Sequence, residues 1–124
     1  MSFFLRPERP ADSAAIAHVN DRAFGGVFES RLVDVIRTGK NFIPELSIVA
    51  MNDDDIVGYI LFSKIMIRGE SGDVETLALA PMAVLPEYQK QGIGRKLITY
   101  GLEQARECGY DSVIVLGHKE YYPK

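Results

Sequence analysis

Hydrophobic residues in the first third of the chain recur every three or four positions, which is the spacing of one face of a helix. The first such run follows Asp12, which stands where an N-cap residue would accept a backbone N–H, and it ends at a pair of glycines. The apolar stripe of the second run consists of Phe28, Leu32, Val35 and Ile36. Gly39 follows it where a left-handed C-terminal residue is expected. The pattern predicts two consecutive helices.

Three long apolar segments in the middle of the chain predict strands. Residues 46–51 and 56–67 flank a short turn of Asn and Asp residues, which is typical of an antiparallel hairpin. The second of these strands is apolar on both faces, so we expect it in the middle of a sheet that helices cover on both sides. A third strand over residues 74–84 contains Pro81, which predicts a bulge or a broken ladder.

From Gly92 to Gly109 the apolar spacing becomes helical again, and residues 112–116 predict a last strand. With a short extended segment at the start, the element order is β-α-α-β-β-β-α-β. This order predicts one mixed α/β domain over residues 1–124, with its last two strands parallel.

Composition and charge restrict the possible partners. The chain has 124 residues, 47% hydrophobic and 25% charged, which fits a single soluble domain. Its net charge of −3 argues against a nucleic-acid surface. No apolar run approaches the roughly 18 residues that span a bilayer, and an early proline and charges disfavour a signal peptide, so no membrane is expected. A single Cys108 and the lack of paired metal ligands indicate a reducing compartment, so we expect a cytoplasmic protein without metal.

A glycine-containing turn joins the third long strand to the last helix. Gly92 and Gly94 lack Cβ atoms, so consecutive backbone N–H groups can approach an anion in front of the helix N-terminus. Lys90, Arg95 and Lys96 add local positive charge to an acidic chain. The turn predicts a site for a small phosphorylated ligand, and a structural turn without ligand is the alternative.

Two common phosphate-binding motifs do not match this turn. A Walker loop needs Lys and then Ser or Thr directly after its last glycine, whereas Gly94 is followed by Arg95, Lys96 and Leu97. A dinucleotide fingerprint needs a third glycine where Leu97 stands, and it belongs in the first strand–helix unit. ATP hydrolysis and NAD or FAD binding are therefore disfavoured.

The turn resembles the acetyl-CoA loop of the GNAT superfamily of N-acetyltransferases. Residues 89–94, QKQGIG, fit the family pattern Q/R-x-x-G-x-G/A, and Val84 and Pro86 have the family's V-x-P-x-x-Q spacing before it. The element order is also similar over nearly the whole chain. The resemblance implies transfer of an acetyl group from acetyl-CoA to a primary amine by direct attack in a ternary complex.

The resemblance also implies which residues bind the cofactor. The backbone of the third long strand would hydrogen-bond the pantetheine arm, and the loop would hold the pyrophosphate. The strand residues are Met82, Ala83 and Val84, and the loop residues are Lys90, Gln91, Gly92, Ile93, Gly94 and Arg95. In the family this strand bulges and separates from the last strand. Pro81 fits such a bulge, because proline has no backbone N–H to donate to the ladder.

The proton-transfer residues implied by the resemblance are less sharply defined. The family's usual acid is a tyrosine just after the last strand, which matches Tyr122, with Tyr121 as the runner-up; packing of both rings on the sheet is the alternative. Glu75 is the candidate base, or else a solvated residue at the start of its strand. The position at which histone-modifying relatives have their glutamate holds Ala78, so deprotonation through water is the default.

Three further residues are candidates for minor roles. We expect His18 on the surface, and His118, after the last strand, either near the substrate or in a loop of no special role. We expect Cys108, on the apolar face of the last helix, to be a small buried side chain rather than a nucleophile.

Members of the family continue with a short helix and two further strands, whereas this chain ends at Lys124. An unpaired sheet edge would follow, and we expect a homodimer through that edge. A truncated product and a fold without catalysis are alternatives. A silent CoA-binding module and a ligand-free interaction domain are therefore rival functions. The acceptor stays open among small amines, antibiotics, peptide N-termini and lysine side chains.

Overall fold

The computed structural model describes residues 3–115. Its strands are β1 (Phe3–Pro7), β2 (Phe42–Asn52), β3 (Asp55–Ile67), β4 (Val74–Val84) and β5 (Val113–Val115). Its helices are α1 (Ser13–Phe24), α2 (Phe28–Arg37) and α3 (Ile93–Glu107). The predicted element order and the mixed α/β class are confirmed. None of the helices in this part of the chain is long and apolar enough to cross a membrane.

The five strands form one sheet in the order β1-β2-β3-β4-β5. Neighbouring strands are antiparallel except β4 and β5, which are parallel and connected through α3. The predicted hairpin is confirmed, since the Asn52–Asp55 pair closes β2 on β3 with Asp53 at a φ of 55°. The predicted central position of β3 is confirmed as well.

A bulge interrupts β4 in the middle of the sheet. The register with β3 shifts after the Ile60–Met82 pair. Ala80 and Pro81 then oppose the single residue Leu61. The bulge predicted from Pro81 is therefore present, and it changes which β4 side chains face each side of the sheet.

Helix α3 covers one face of the sheet. Its buried residues are Ile93, Leu97, Gly101 and Ala105, which are those expected from the apolar spacing. The expectation for Cys108 was wrong, because this side chain is exposed at the C-cap of α3. Because α3 ends at Glu107, its buried face does not extend to Cys108.

Helices α1 and α2 cover the opposite face. The stripe predicted for α2 was only partly right, because Phe28 and Val35 are 72% and 69% exposed, while Ser30 and Val33 are buried. Ser30 donates a 2.6 Å hydrogen bond to Asp21 of α1, which turns this face of α2 inward. The outer apolar stripe of α2 consequently faces away from the core.

Two predicted helix ends differ from the structure. Asp12 precedes α1 but does not cap it; its carboxylate accepts from the Arg9 N–H at 2.7 Å and pairs with Arg6 of β1 at 2.7 Å. A guanidinium within reach competes successfully with the helix amides. Gly39 is not left-handed, because Thr38 already caps α2 in the right-handed region.

Candidate functional site

Two glutamine side chains of the turn between β4 and α3 donate hydrogen bonds to backbone carbonyls of β4 and of the turn itself. After a 3-10 turn at Pro86–Tyr88, the Gln89 Nε2 donates to the Val84 carbonyl at 2.9 Å. The Gln91 Nε2 donates to the Glu87 carbonyl at 3.3 Å. These bonds define the path of the backbone into α3.

The backbone adopts left-handed conformations at two positions of this turn. Lys90 has a φ of 65° and Gly92 a φ of 87°. A side chain at such a φ is unfavourable, and non-glycine residues held there are more common at functional sites than elsewhere. Gly92 therefore suits its backbone, whereas Lys90 is held in place by the surrounding turn.

The amides at the start of α3 are open. The first N–H that bonds within the helix is that of Lys96, which donates to the Gly92 carbonyl at 3.1 Å. No side chain of residues 3–115 caps the N–H groups that precede it, those of Ile93, Gly94 and Arg95. Three consecutive donors at the positive end of a helix dipole are an arrangement that favours an anion.

Packing within the described chain does not explain the two glycines of the turn. A Cβ on Gly92 would meet nothing within 4 Å. A Cβ on Gly94 would lie 3.6 Å from the Met82 Cε, which is an ordinary contact. Space for a ligand is thus present in front of the open amides.

The charges around the turn favour an anion. Lys90 and Arg95 are exposed and form no ion pair with any carboxylate of residues 3–115. The Lys96 Nζ lies 5.8 Å from the centroid of the Phe3 ring, so this lysine is directed toward β1. Lys90 and Arg95 remain available to a ligand.

Other elements fix the turn from behind. Glu87 pairs with Arg22 of α1 at 2.9 Å; a hydrogen bond from its own backbone N–H and then Arg22 lower the pKa of Glu87. The Tyr88 hydroxyl accepts a 3.2 Å hydrogen bond from Asn52, and its ring packs edge-on against Phe3. The turn is therefore braced by α1, β1 and β2.

The backbone of β4 has a free edge next to the turn. On one side β4 pairs with β3 up to Val84, but on the other side β5 pairs only with Leu77–Leu79. From the bulge to Val84, no strand among the described residues covers this edge. Met82, Ala83 and Val84 thus lie where the sequence analysis predicted an accessible backbone.

A groove of about 480 Å³ opens on the α2 side of β4. Its apolar lining residues are Leu32, Val35, Ile36, Ile65, Ala78 and Ala80. Ser63 lies directly opposite Ala78 in the β3–β4 register, and both line the groove. The sequence analysis missed Ser63 and the groove, although a lone serine in the apolar run of β3 was a visible signal.

A buried polar network holds α2 over the sheet. The Arg37 Nε donates to Glu8 at 2.8 Å, and Glu8 also accepts from the Ser47 hydroxyl. The Ser47 hydroxyl bonds the Tyr59 hydroxyl at 2.6 Å, and burial raises the pKa of Tyr59. The network joins the segment after β1 to α2, β2 and β3, and it fixes one wall of the groove.

A second cavity, of about 550 Å³, lies behind the turn on the α1 side. It is built around the Arg6–Asp12 pair, and the turn contributes Leu85, Glu87 and Tyr88 to its lining. His18 also lines it and is exposed, as the sequence predicted. The cavity is separate from the open amides.

The predicted catalytic residues are not brought together by the described part of the chain. Glu75 is exposed at the start of β4, opposite Met66. Burial, and then the charge of Glu75, raise the pKa of Tyr110, so these two side chains lie close together beyond the C-terminus of α3. The 15 residues of α3, about 22 Å, separate this end from the glycine turn. Tyr122, Tyr121 and His118 lie outside the described residues.

Comparison with protein families identifies relatives over most of the chain. The model of the acetyltransferase (GNAT) family matches residues 14–121. The uncharacterised N-acetyltransferase YjhQ of Escherichia coli K12 is 40% identical over 114 residues, which are 92% of this chain and 63% of YjhQ. The E. coli N-acetyltransferase YhbS, also uncharacterised, is 33% identical over 121 residues, 97% of this chain and 70% of YhbS. The chain thus spans about two thirds of the length of these relatives.

Solved structures show the same fold. A GNAT family acetyltransferase from Brucella melitensis in complex with acetyl-CoA has a TM-score of 0.85 and 37% identity, covering 98% of this chain and 79% of that one. E. coli YhbS in complex with CoA has a TM-score of 0.83 and 32% identity, covering 93% of this chain and 62% of that one.

Proposed function

Because the chain belongs to the GNAT acetyltransferase family, we propose that it transfers an acetyl group from acetyl-CoA to a primary amine. The observation that carries the proposal is the set of open N–H groups of Ile93, Gly94 and Arg95 beside a left-handed Gly92 with empty space around it. These donors match the charge and the shape of a pyrophosphate.

In this proposal the turn and β4 bind CoA mainly through their backbone. The N–H groups at the start of α3 would bind phosphate oxygens, and Lys90 and Arg95 would neutralise their charge. The free edge of β4 at Met82–Val84 would hydrogen-bond the amide groups of the pantetheine arm, as one strand pairs with another. Gln91 would support the turn through its bond to Glu87.

The chemistry asks for positioning and for two proton transfers. The amine nitrogen forms a bond to the thioester carbonyl carbon, and the carbon–sulfur bond then breaks. The ammonium must lose a proton before attack, and a second proton passes from the same nitrogen, through the acid, to the leaving thiolate. Tyr122 remains the predicted acid. Glu75 remains a predicted base, with deprotonation through water as the default because Ala78 offers no carboxylate.

Titration calorimetry and a thiol-release assay test this function together. We expect acetyl-CoA to bind the full chain, and free CoA to appear when an amine is added from a panel. Tyr122→Phe should slow turnover and leave the affinity for acetyl-CoA unchanged. Binding without thiol release from any amine would favour the silent CoA-binding module. No binding at all would favour the interaction domain.

The homodimer is a separate proposal, supported by the exposure of β5. Ile114 and Val115 are exposed, and β5 pairs with β4 on one side within the described part of the chain. Light scattering over a dilution series should show a mass that falls from dimer to monomer, whereas a monomer at every concentration contradicts the dimer. The cytoplasmic location and the lack of a nucleic-acid partner also stay predictions.

A further inference from the structure

The groove between α2 and β4 opens at the place where the proposed acetyl group would arrive. Ala80 belongs both to the lining of the groove and to the β4 bulge. Ala80 lies four residues before Val84 on β4, which is about 13 Å in an extended strand. An arm that starts at the glycine turn and follows β4 therefore ends beside the groove.

The walls of the groove are apolar. Leu32, Val35 and Ile36 of α2 form one wall, and the alanines of β4 form the other with Ile65. Val35 is exposed because α2 is rotated to bury Ser30 and Val33, so its apolar stripe is left facing this opening. A volume of about 480 Å³ is enough for a small organic molecule.

Among the described residues that line the groove, the charged side chains are Lys40 and Lys64, and none is a carboxylate. The carboxylate of Asp34 on α2 is engaged by Arg37 at 2.8 Å. The reacting amine must lose its charge before attack. A second ammonium group would keep its charge without a partner among these residues, which is unfavourable near an apolar wall.

From these observations we propose that the groove binds the acceptor, and that the acceptor is a small monoamine with an apolar body rather than a polycation. The proposal rests on the proposed function for the identity of the groove as the acceptor site. It names a class of substrate that the loop motif leaves open: amines with a single positive charge and an aliphatic or aromatic group. Polyamines and aminoglycosides are outside this class.

Two probes and two variants test the proposal by direct binding. On the CoA-saturated full chain, calorimetry should show binding of 2-phenylethylamine and at least tenfold weaker binding of spermidine. Val35→Lys adds a third positive charge to the groove wall and should weaken 2-phenylethylamine at least tenfold. Phe28→Lys makes the corresponding change on the same helix at an equally exposed position outside the groove, and it should leave this affinity unchanged. Acetyl-CoA affinity should be the same in both variants.

The outcomes separate the acceptor class from the acetyl transfer itself. Binding of 2-phenylethylamine that depends on Val35, without thiol release, supports the groove and contradicts the proposed transfer. Thiol release with spermidine but not with 2-phenylethylamine supports transfer and overturns the acceptor class. Equal losses in Val35→Lys and Phe28→Lys, or no binding of 2-phenylethylamine, also overturn it.

Discussion

Gly101 within α3 and Gly92 at its N-cap are both glycine, but for different physical reasons. A Cβ on Gly101 would lie 2.3 Å from the Phe62 Cε1, so the sheet leaves no room for a side chain. A Cβ on Gly92 would meet nothing within 4 Å, and what requires glycine there is the φ of 87°. The middle of the helix leaves no room for a side chain because the sheet packs against it, whereas the N-cap position is open.

This difference separates packing from binding. Residues on the sheet side of α3 should affect the free energy of unfolding and leave ligand affinity alone. Residues of the turn should do the reverse.

The largest effect is expected at Gly101. Gly101→Val places atoms inside the ring of Phe62, and overpacking of this kind costs about 2–3 kcal/mol of unfolding free energy. Urea denaturation measures it. Thr99→Val introduces the same side chain at an exposed position of α3 and should change little. A Gly101→Val protein as stable as the Thr99→Val protein contradicts the close contact.

The ion pair beneath α2 should come next. Arg37→Met leaves the Glu8 carboxylate, 8% exposed, without its cation, and we expect a loss of about 2 kcal/mol. Asp34, the other partner of Arg37, has a side chain that is 68% exposed, so Asp34→Asn should cost under about 0.5 kcal/mol. Similar losses of unfolding free energy in both variants, measured by urea denaturation, would contradict a larger contribution from the buried Arg37–Glu8 pair.

Substitution of Gly92 should change ligand affinity more than a comparable substitution elsewhere. Gly92→Val is strained at its positive φ by about 1–2 kcal/mol, and it should weaken acetyl-CoA about tenfold or more because the side chain fills the space before the amides. Gly25 is the matched control, since it also has a positive φ, of 74°, and open space. Gly25→Val should lose similar stability and keep its affinity in calorimetry. An equal loss of affinity in both variants contradicts a ligand at Gly92.

The smallest effect is expected from the Arg6–Asp12 pair at low pH. The hydrogen bond from Arg6 is the main cause that lowers the pKa of Asp12 below its usual 3.8. The stability it contributes is therefore complete above about pH 4 and is lost as the pH falls through the lowered pKa. Thermal melts of Arg6→Gln should show a weaker pH dependence below pH 4 than the parent. Arg31→Gln, which removes an exposed arginine that forms no ion pair with any carboxylate of residues 3–115, should keep the parent's pH dependence.

Much of the fold could be predicted from local pattern. The bounds of β4 at Val74–Val84 and the inward face of α3 follow from residue spacing, and the bulge follows from Pro81. The glycine turn was recognisable because phosphate binding constrains consecutive positions along the chain. Such features depend on residues close together in sequence.

The errors at α2 and at Asp12 concern contacts between distant segments. The spacing of α2 allowed two faces, and only the bond from Ser30 to Asp21 of α1 selects the one that is buried. Asp12 has the sequence of a cap, but Arg6 on the neighbouring strand binds it instead. The groove required knowledge of where α2 lies over β4, which no single segment contains.

The uncovered edge of β4 after the bulge has a consequence for the dynamics of the sheet. Among residues 3–115, β5 pairs with Leu77–Leu79 of β4, directly beside the free edge that begins at the bulge. Local opening costs least where backbone groups have no strand partner, so amide hydrogens along this edge should exchange early. A ligand that hydrogen-bonds this backbone would take the place of a neighbouring strand, and its binding would be measured as slower hydrogen exchange.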